Sequence, residues 1–159
     1  GKMVYHRQPE SVTAIVDEAV RAFEPLRMRE NVQFEIDVSP DLPPLLADRE
    51  AVSGALLNLL HNAYKYTGPS KFICIECRRE DGRVALSVLD NGPGVPRREH
   101  RRIFDRFYRI DDRLSRQVGG SGLGLSIVRH VAQAHGGRVR VSNRAEGGAK
   151  FTILLPALT

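Results

Sequence analysis

The stretch Ala55-Leu56-Leu57-Asn58-Leu59-Leu60-His61-Asn62-Ala63-Tyr64-Lys65-Tyr66-Thr67 is too apolar for a surface helix and too polar along one line for plain core. At 100° per residue, Asn58, Asn62, Lys65 and Tyr66 fall in one narrow stripe with His61 at its margin, while Val52, Ala55, Leu56, Leu57, Leu59, Leu60 and Ala63 cover most of the rest. Two readings of the stripe stand side by side. It is either a polar face turned to solvent or the wall of a pocket lined by carboxamides and an ammonium.

Upstream, Asp48 sits where a helix cap belongs, with Ala51 three residues on in place of the Glu of a full capping box. Before it, Val32–Val38 alternates apolar and polar with period two, and Pro40, Pro43 and Pro44 end that strand. Pro9-Glu10-Ser11 opens an amphipathic helix in which Val12, Ile15, Val16, Ala19, Val20 and Phe23 recur at helical spacing, ending near Met28.

Downstream, Gly68-Pro69-Ser70 is a turn, and two strands, Lys71 to Arg79 and Arg83 to Asp90, are joined across Glu80-Asp81-Gly82 as a hairpin. Asn91-Gly92-Pro93-Gly94-Val95-Pro96 is then a loop, and Arg97 to Ile103 is predicted as a short charged helix. Phe104, Phe107 and Tyr108 cluster among Arg101, Arg102, Arg106 and Arg109. Ile110 to Ser121 has no period and is expected to be a mobile loop. Helical spacing resumes from Gly122 to His135, Gly136-Gly137 ends it, and Arg138–Ser142 with Phe151–Leu155 form a last hairpin. The mixed element order predicts an α+β two-layer sandwich, a mixed sheet with helices on one face.

A chain of 159 residues with 42% apolar residues suits one domain. No run approaches the roughly 20 apolar residues of a membrane-spanning helix, and the first residues lack the apolar core of a signal peptide. Gly1 before Met3 reads as a cloning remnant, so the chain is expected to be an excised fragment. The net charge of +5 would suit a nucleic-acid binder, but aromatic residues are only 6%, tryptophan is absent and no nucleic-acid-reading motif occurs; an anionic small molecule or an acidic partner explains the charge as well. Cys74 and Cys77 form a C-x-x-C inside an alternating strand, where an odd separation sends them to opposite faces, so the pair reads as structural and zinc as improbable.

Two further stretches bear on the pocket. Asp90-x-Gly92-x-Gly94 sets a carboxylate at a strand end before a backbone free to bend, suited to accepting a hydrogen bond from an exocyclic amine, although Asp and Gly are also ordinary turn residues. Gly119-Gly120-Ser121-Gly122-Leu123-Gly124 runs into a helix start, where N–H groups and glycine backbone can cradle phosphate; a lid with a glycine hinge is the alternative. The stretch lacks the Lys-Ser/Thr ending of a Walker motif and does not follow a strand as a dinucleotide fingerprint does.

In order along the chain, Asn58-x-x-x-Asn62-Ala-x-Lys65-Tyr66, Asp90-Asn-Gly92-Pro-Gly94, Ile103-Phe-Asp-Arg-Phe-Tyr108 and Gly120-x-Gly122-Leu-Gly124-Leu resemble the N, G1, F and G2 boxes of sensor histidine kinases. The resemblance covers nearly the whole chain and implies the ATP-binding catalytic domain, with the Bergerat-type fold shared by gyrase, heat-shock chaperone and mismatch-repair ATPases. It implies Mg2+ on the amide oxygen of Asn62, with Asn58 one turn earlier in the same site, and phosphate contacts from Lys65 and Tyr66. Asp90 would anchor adenine, with Gly92 and Gly94 letting the base approach. Gly120, Gly122, Leu123 and Gly124 would supply the phosphate-binding backbone, and Ile110–Ser121 the ATP lid. Arg106 or Arg109 would reach the γ-phosphate, while Phe104 and Phe107 would be packing.

Related ATPases carry a Glu one turn before the metal-binding Asn to activate water. Here that position is Asn58, which is no base at neutral pH, so slow hydrolysis and kinase chemistry are expected. The family's phosphoacceptor His-Glu-Leu-Arg-Thr-Pro is absent, and His6, His61, His100, His130 and His135 all lack that context. The expected partners are therefore a phosphoacceptor and dimerisation domain of the parent kinase and, indirectly, a response regulator, with no nucleic acid and no membrane contact by this cytoplasmic segment. A nucleotide-binding regulatory module, and a serine kinase of the anti-sigma type or a gyrase-type ATPase, are the alternatives. In Gly147-Gly148-Ala149-Lys150-Phe151 the chain departs from the family, which often has Ser or Thr before the Phe, so the hydroxyl contact near adenine that the resemblance would imply is not expected here.

Overall fold

A computed structural model describes residues 4–106, 108 and 124–158. The first helix begins where the sequence supplies a cap: Ser11 Oγ accepts the Ala14 N–H at 3.0 Å, and α1 runs Val12–Arg29, burying Val12, Ile15, Val16, Ala19 and Phe23. A short strand β1 (Gln8–Glu10) precedes it, and β2 (Val32–Val38) follows. Next come β3 (Leu45–Ala47), α2 (Arg49–Tyr66), and the hairpin of β4 (Lys71–Glu80) and β5 (Arg83–Asp90). The remaining elements are α3 (Gly124–Ala134), β6 (Arg138–Asn143) and β7 (Ala149–Pro156).

Five strands form one sheet in the order β2-β4-β5-β7-β6, with β2 parallel to β4 and every other pair antiparallel. The register puts Ile73, Ile75 and Cys77 of β4 beside Asp90, Val88 and Leu86 of β5, and Val88 and Leu86 beside Phe151 and Ile153 of β7. All of these lie on the face covered by α1, α2 and α3, and Asp90 is the only charged residue among them. Cys74 points to the opposite face, as the spacing predicted; both thiols are free and buried, and burial raises Cys74 to about 11 and Cys77 to about 12.

That opposite face is closed over by charge pairs. The Ser87 and Thr152 hydroxyls hydrogen-bond at 2.8 Å under Lys150–Glu76 (3.0 Å), Arg140–Glu80 (2.8 Å) and Arg78–Asp37. The long side chains shield the small polar ones, so this side needs no second layer of helices.

β1 and β3 pair antiparallel as a separate two-stranded ribbon, which the aperiodic Gln8-Pro9-Glu10 does not reveal. The helix expected over Arg97 to Ile103 is instead one 3-10 turn, Arg97–Glu99, carried on by turns to Ile103. The N–H groups of Glu99, His100 and Arg102 reach back three residues, and with no apolar stripe to bury nothing favours extending the helix. Phe107, Arg109, the expected lid Ile110–Ser121, Gly122 and Leu123 lie outside the described residues. No helix among the described residues is long and apolar enough to cross a membrane.

Candidate functional site

Helix α2 carries the polar stripe and is fixed at both ends. At its start, Asp48 Oδ1 accepts the Ala51 N–H at 3.0 Å and Oδ2 accepts the His6 N–H at 3.0 Å. Burial pushes the Asp48 carboxyl up, yet these bonds, with His135 and His6, hold it below the ordinary aspartate value. The Asp48 N–H donates to His135 Nε2 at 3.1 Å while His135 Nδ1 bonds the Val131 carbonyl at 2.8 Å, tying α2 to the C-terminal end of α3. Midway, Ser53 Oγ donates to the Ile15 carbonyl of α1 at 3.0 Å.

At the other end, Lys71 enters the interior from β4. Its Nζ donates to the carbonyls of Tyr64 and Thr67, both at 2.9 Å, and sits 4.7 Å from the Tyr64 ring. Carbonyls at a helix C-terminus lack intrahelical partners and carry the negative end of the dipole, so a buried ammonium belongs there.

Between these anchors Asn58, Asn62 and Tyr66 are half-buried and Lys65 is exposed. Among the described residues their side chains make no hydrogen bond. Two half-buried carboxamides one turn apart leave hydrogen-bonding and ligating capacity that no described protein group takes up. The oxygens suit a hard cation, which fits Mg2+. His61, at the stripe's margin, lies 6.5 Å ring to ring from Phe23; burial, and then the Lys65 ammonium, hold its imidazole below the ordinary histidine value, so it is neutral at pH 7.

Asp90 ends β5 almost fully buried, 4% exposed. Its Oδ1 accepts the N–H groups of Gly92 at 2.8 Å and Ala149 at 3.3 Å. Burial raises its carboxyl above the ordinary aspartate value, while those two N–H groups and the Arg144 charge oppose the rise. The loop after Asp90 is pinned on two sides. Asn91 Oδ1 accepts the Phe72 N–H at 2.9 Å and its Nδ2 donates to the Ser70 carbonyl at 2.7 Å, while Asn143 clasps both the N–H and the carbonyl of Val95, at 2.7 and 2.8 Å.

The loop also meets the end of α2. A Cβ on Gly92 would lie 2.7 Å from the Tyr66 carbonyl oxygen, so only glycine allows this approach. The structure thus brings Asp90–Gly92 against the end of the Asn58–Tyr66 stripe, with Gly94 packed on Asn143.

Phe104 is buried edge-to-face on Phe151, centroids 6.0 Å apart, as the packing expectation had it, and Asp105 pairs with Arg129 of α3 at 3.0 Å. Arg106 is exposed, and Gly124 stands at the start of α3 with open space around it. Arg109, Gly120, Gly122 and Leu123 lie outside the described residues.

Sequence reasoning missed Lys71, Asn143, Arg144 and Gly148. At Gly148, with φ +102°, a Cβ would fall 1.8 Å from the Asp90 carbonyl oxygen. Only the Gly147-Gly148 pair signalled any of this.

A layered α/β ATPase with a carboxylate at a strand end facing a carboxamide-bearing helix is the class this geometry defines. The family model of histidine kinase-, DNA gyrase B- and HSP90-like ATPases matches residues 47–159, and the chain belongs to that family. Within it, the chain falls among the sensor histidine kinases. It is 36% identical over 154 residues to the adaptive-response sensory kinase SasA of Synechococcus sp. (strain CC9902), covering 96% of this chain and 40% of SasA. It is 37% identical over 147 residues to the sensor-like histidine kinase SenX3 of Mycobacterium tuberculosis (strain ATCC 25618 / H37Rv), covering 92% and 36%. The chain therefore spans well under half the length of these relatives.

Among solved structures, a mycobacterial sensor histidine kinase MprB superposes with a TM-score of 0.80 at 32% identity, covering 96% of this chain and 98% of that one. Full-length ShkA in complex with AMPPNP gives 0.85 at 31%, covering 100% and 33%. ThkA in complex with the response regulator protein TrrA gives 0.79 at 26%, covering 96% and 42%.

Proposed function

We propose that this domain binds Mg-ATP between α2 and the Asp90 loop and transfers the γ-phosphoryl group to a histidine of a separate phosphoacceptor and dimerisation domain. The observation that carries the reading is the approach of the buried Asp90 and its Gly92 loop to the Tyr66 end of α2, the helix whose half-buried Asn58 and Asn62 carboxamides make no hydrogen bond among the described residues. Asp90 accepts a hydrogen bond from the adenine exocyclic amine. Asn62, helped by Asn58, would hold the metal, Lys65 and Tyr66 would contact phosphate, and Gly120, Gly122 and Gly124 would supply phosphate-binding backbone N–H groups. Bound Mg2+ supplies charge neutralisation on the phosphate oxygens.

In the transfer, an imidazole nitrogen attacks the γ-phosphorus in line, the bond to the β–γ bridging oxygen breaks, and ADP leaves with that electron pair. Lys65 and main-chain N–H groups position the phosphates and balance developing charge. Asn58 cannot take a proton from water, so ATP is spared hydrolysis until the histidine arrives. AMPPNP in ShkA and the ThkA–TrrA complex support the reading by likeness: a nucleotide site here, and a response regulator as the partner of the whole kinase.

The test supplies this chain, with labelled ATP, to a kinase-dead relative that retains its phosphoacceptor histidine. Acid-labile phosphohistidine is the expected product, and it should disappear with Asn62→Asp. Nucleotide binding without any phosphohistidine would leave a regulatory module, and rapid ATP turnover would point to a gyrase-type ATPase.

A further inference from the structure

Arg144 has no part in the nucleotide site just described, yet it touches that site's most buried residue. It lies in the turn between β6 and β7, and its Nη1 donates to the Asp90 main-chain carbonyl at 2.8 Å and to the Gly147 carbonyl at 3.1 Å. The guanidinium lies 5.0 Å from the centroid of Phe72, a side chain of the sheet face opposite the helices. It therefore reaches round the strand ends and grips Asp90 from behind, while the Asp90 side chain points to the helix face. The side chain is 15% exposed, and its Nε is buried with no acceptor. An arginine held this deeply, at the cost of an orphaned donor and with only the exposed Glu146 at 3.4 Å as counter-ion, is poorly explained by stability alone.

We propose that Arg144 is the positioning residue of the nucleotide site: it holds the Asp90 main chain from the far side of the sheet and supplies the positive charge that accompanies the Asp90 carboxylate as it receives the base. The proposal rests on the reading of Asp90 as the base-binding group. Arg144 itself touches no ligand.

The charged groups about this strand end are Lys150 on β7 beside Leu89, Glu76 on β4 paired with it, and Arg144 with Glu146 in the turn. Glu76 and Lys150 neutralise each other at 3.0 Å, and of the whole set Arg144 is the one that acts on the Asp90 charge. In a site where burial favours the protonated form, the Gly92 and Ala149 N–H groups oppose that tendency first and the Arg144 charge adds to them. The same turn brings Gly148 against the Asp90 carbonyl, so backbone and guanidinium fix one strand end together.

The experiment titrates the Mg2+ complex of a non-hydrolysable ATP analogue into the whole chain between pH 5 and 8, for the wild type, Arg144→Gln, Arg144→Lys and Asp90→Asn, with thermal melts confirming that each is folded. Arg144→Gln is expected to weaken binding about tenfold at pH 7 and to move the acidic loss of affinity to higher pH, with Arg144→Lys recovering most of the pH profile. Wild-type affinity and profile in Arg144→Gln would overturn the proposal, and so would a weaker affinity with an unmoved pH profile, which a purely structural role gives. Undiminished binding by Asp90→Asn would instead overturn the reading of the site itself.

Discussion

Lys71 brings its Nζ into the interior, 7% exposed, onto the last turn of α2, with a Glu30 carboxylate oxygen 3.7 Å away. Nothing in Gly68-Pro69-Ser70-Lys71 announces this, because a lysine opening a strand reads as an edge residue until the register sets it on the helix-facing side beside Val32. The role is specific to an ammonium: two carbonyls, with the Thr67 hydroxyl 3.3 Å away, match its three donors. Lys71→Met leaves those carbonyls buried without partners. A loss of about 2–3 kcal/mol is expected in urea unfolding, with weaker nucleotide binding as the turn bearing Lys65 and Tyr66 frays. Asn58 and Asn62 were legible as a stripe from periodicity, whereas their lack of partners could be learned only from the packed structure.

At the scale of elements, the helices and hairpins that bury one full face were readable because their periods are long enough to record. α2 starts after Asp48 and ends before Thr67, and β5 spans Arg83–Asp90, as the sequence predicts. β1 and β3 were not readable: three residues hold no period, and each is a strand only because the other lies beside it. The charged segment after Pro96 misled in the opposite direction, since helix-forming arginines without an apolar stripe have no surface to dock.

The cap of α2 offers a test at this scale. Asp48→Ala is expected to cost about 1 kcal/mol at pH 7, the usual value of such a cap. The Asp48 carboxyl is held below its ordinary value of 3.8, so its contribution is present above that pH and is lost as pH falls through the lower, folded value. The gap between wild type and variant should therefore narrow when melts are compared at pH 6 and at pH 3; an unchanged gap would place the effect outside the carboxylate.

At the scale of the molecule, the sheet has two unlike faces. One packs three helices, and the other is a lattice of ion pairs over Ser87 and Thr152. The proposed binding end lies where the helix-facing side runs out: β5 stops on Asp90, the β6–β7 turn closes over it with Gly148 and Arg144, and the Tyr66 end of α2 meets Gly92. Placing a buried carboxylate there has a cost in the free protein. Burial raises the Asp90 carboxyl, so the folded state favours the protonated form, and that preference is lost as pH rises through the folded value, leaving a destabilising charge at neutral pH.

The most direct measurement is therefore a paired one on wild type and Asp90→Asn at pH 7.5: the melting temperature without nucleotide, and the calorimetric affinity for a non-hydrolysable ATP analogue with Mg2+. Asp90→Asn is expected to melt no lower than wild type while its affinity falls tenfold or more. A variant that binds the analogue as tightly as wild type would contradict the assignment of Asp90, and with it the nucleotide site.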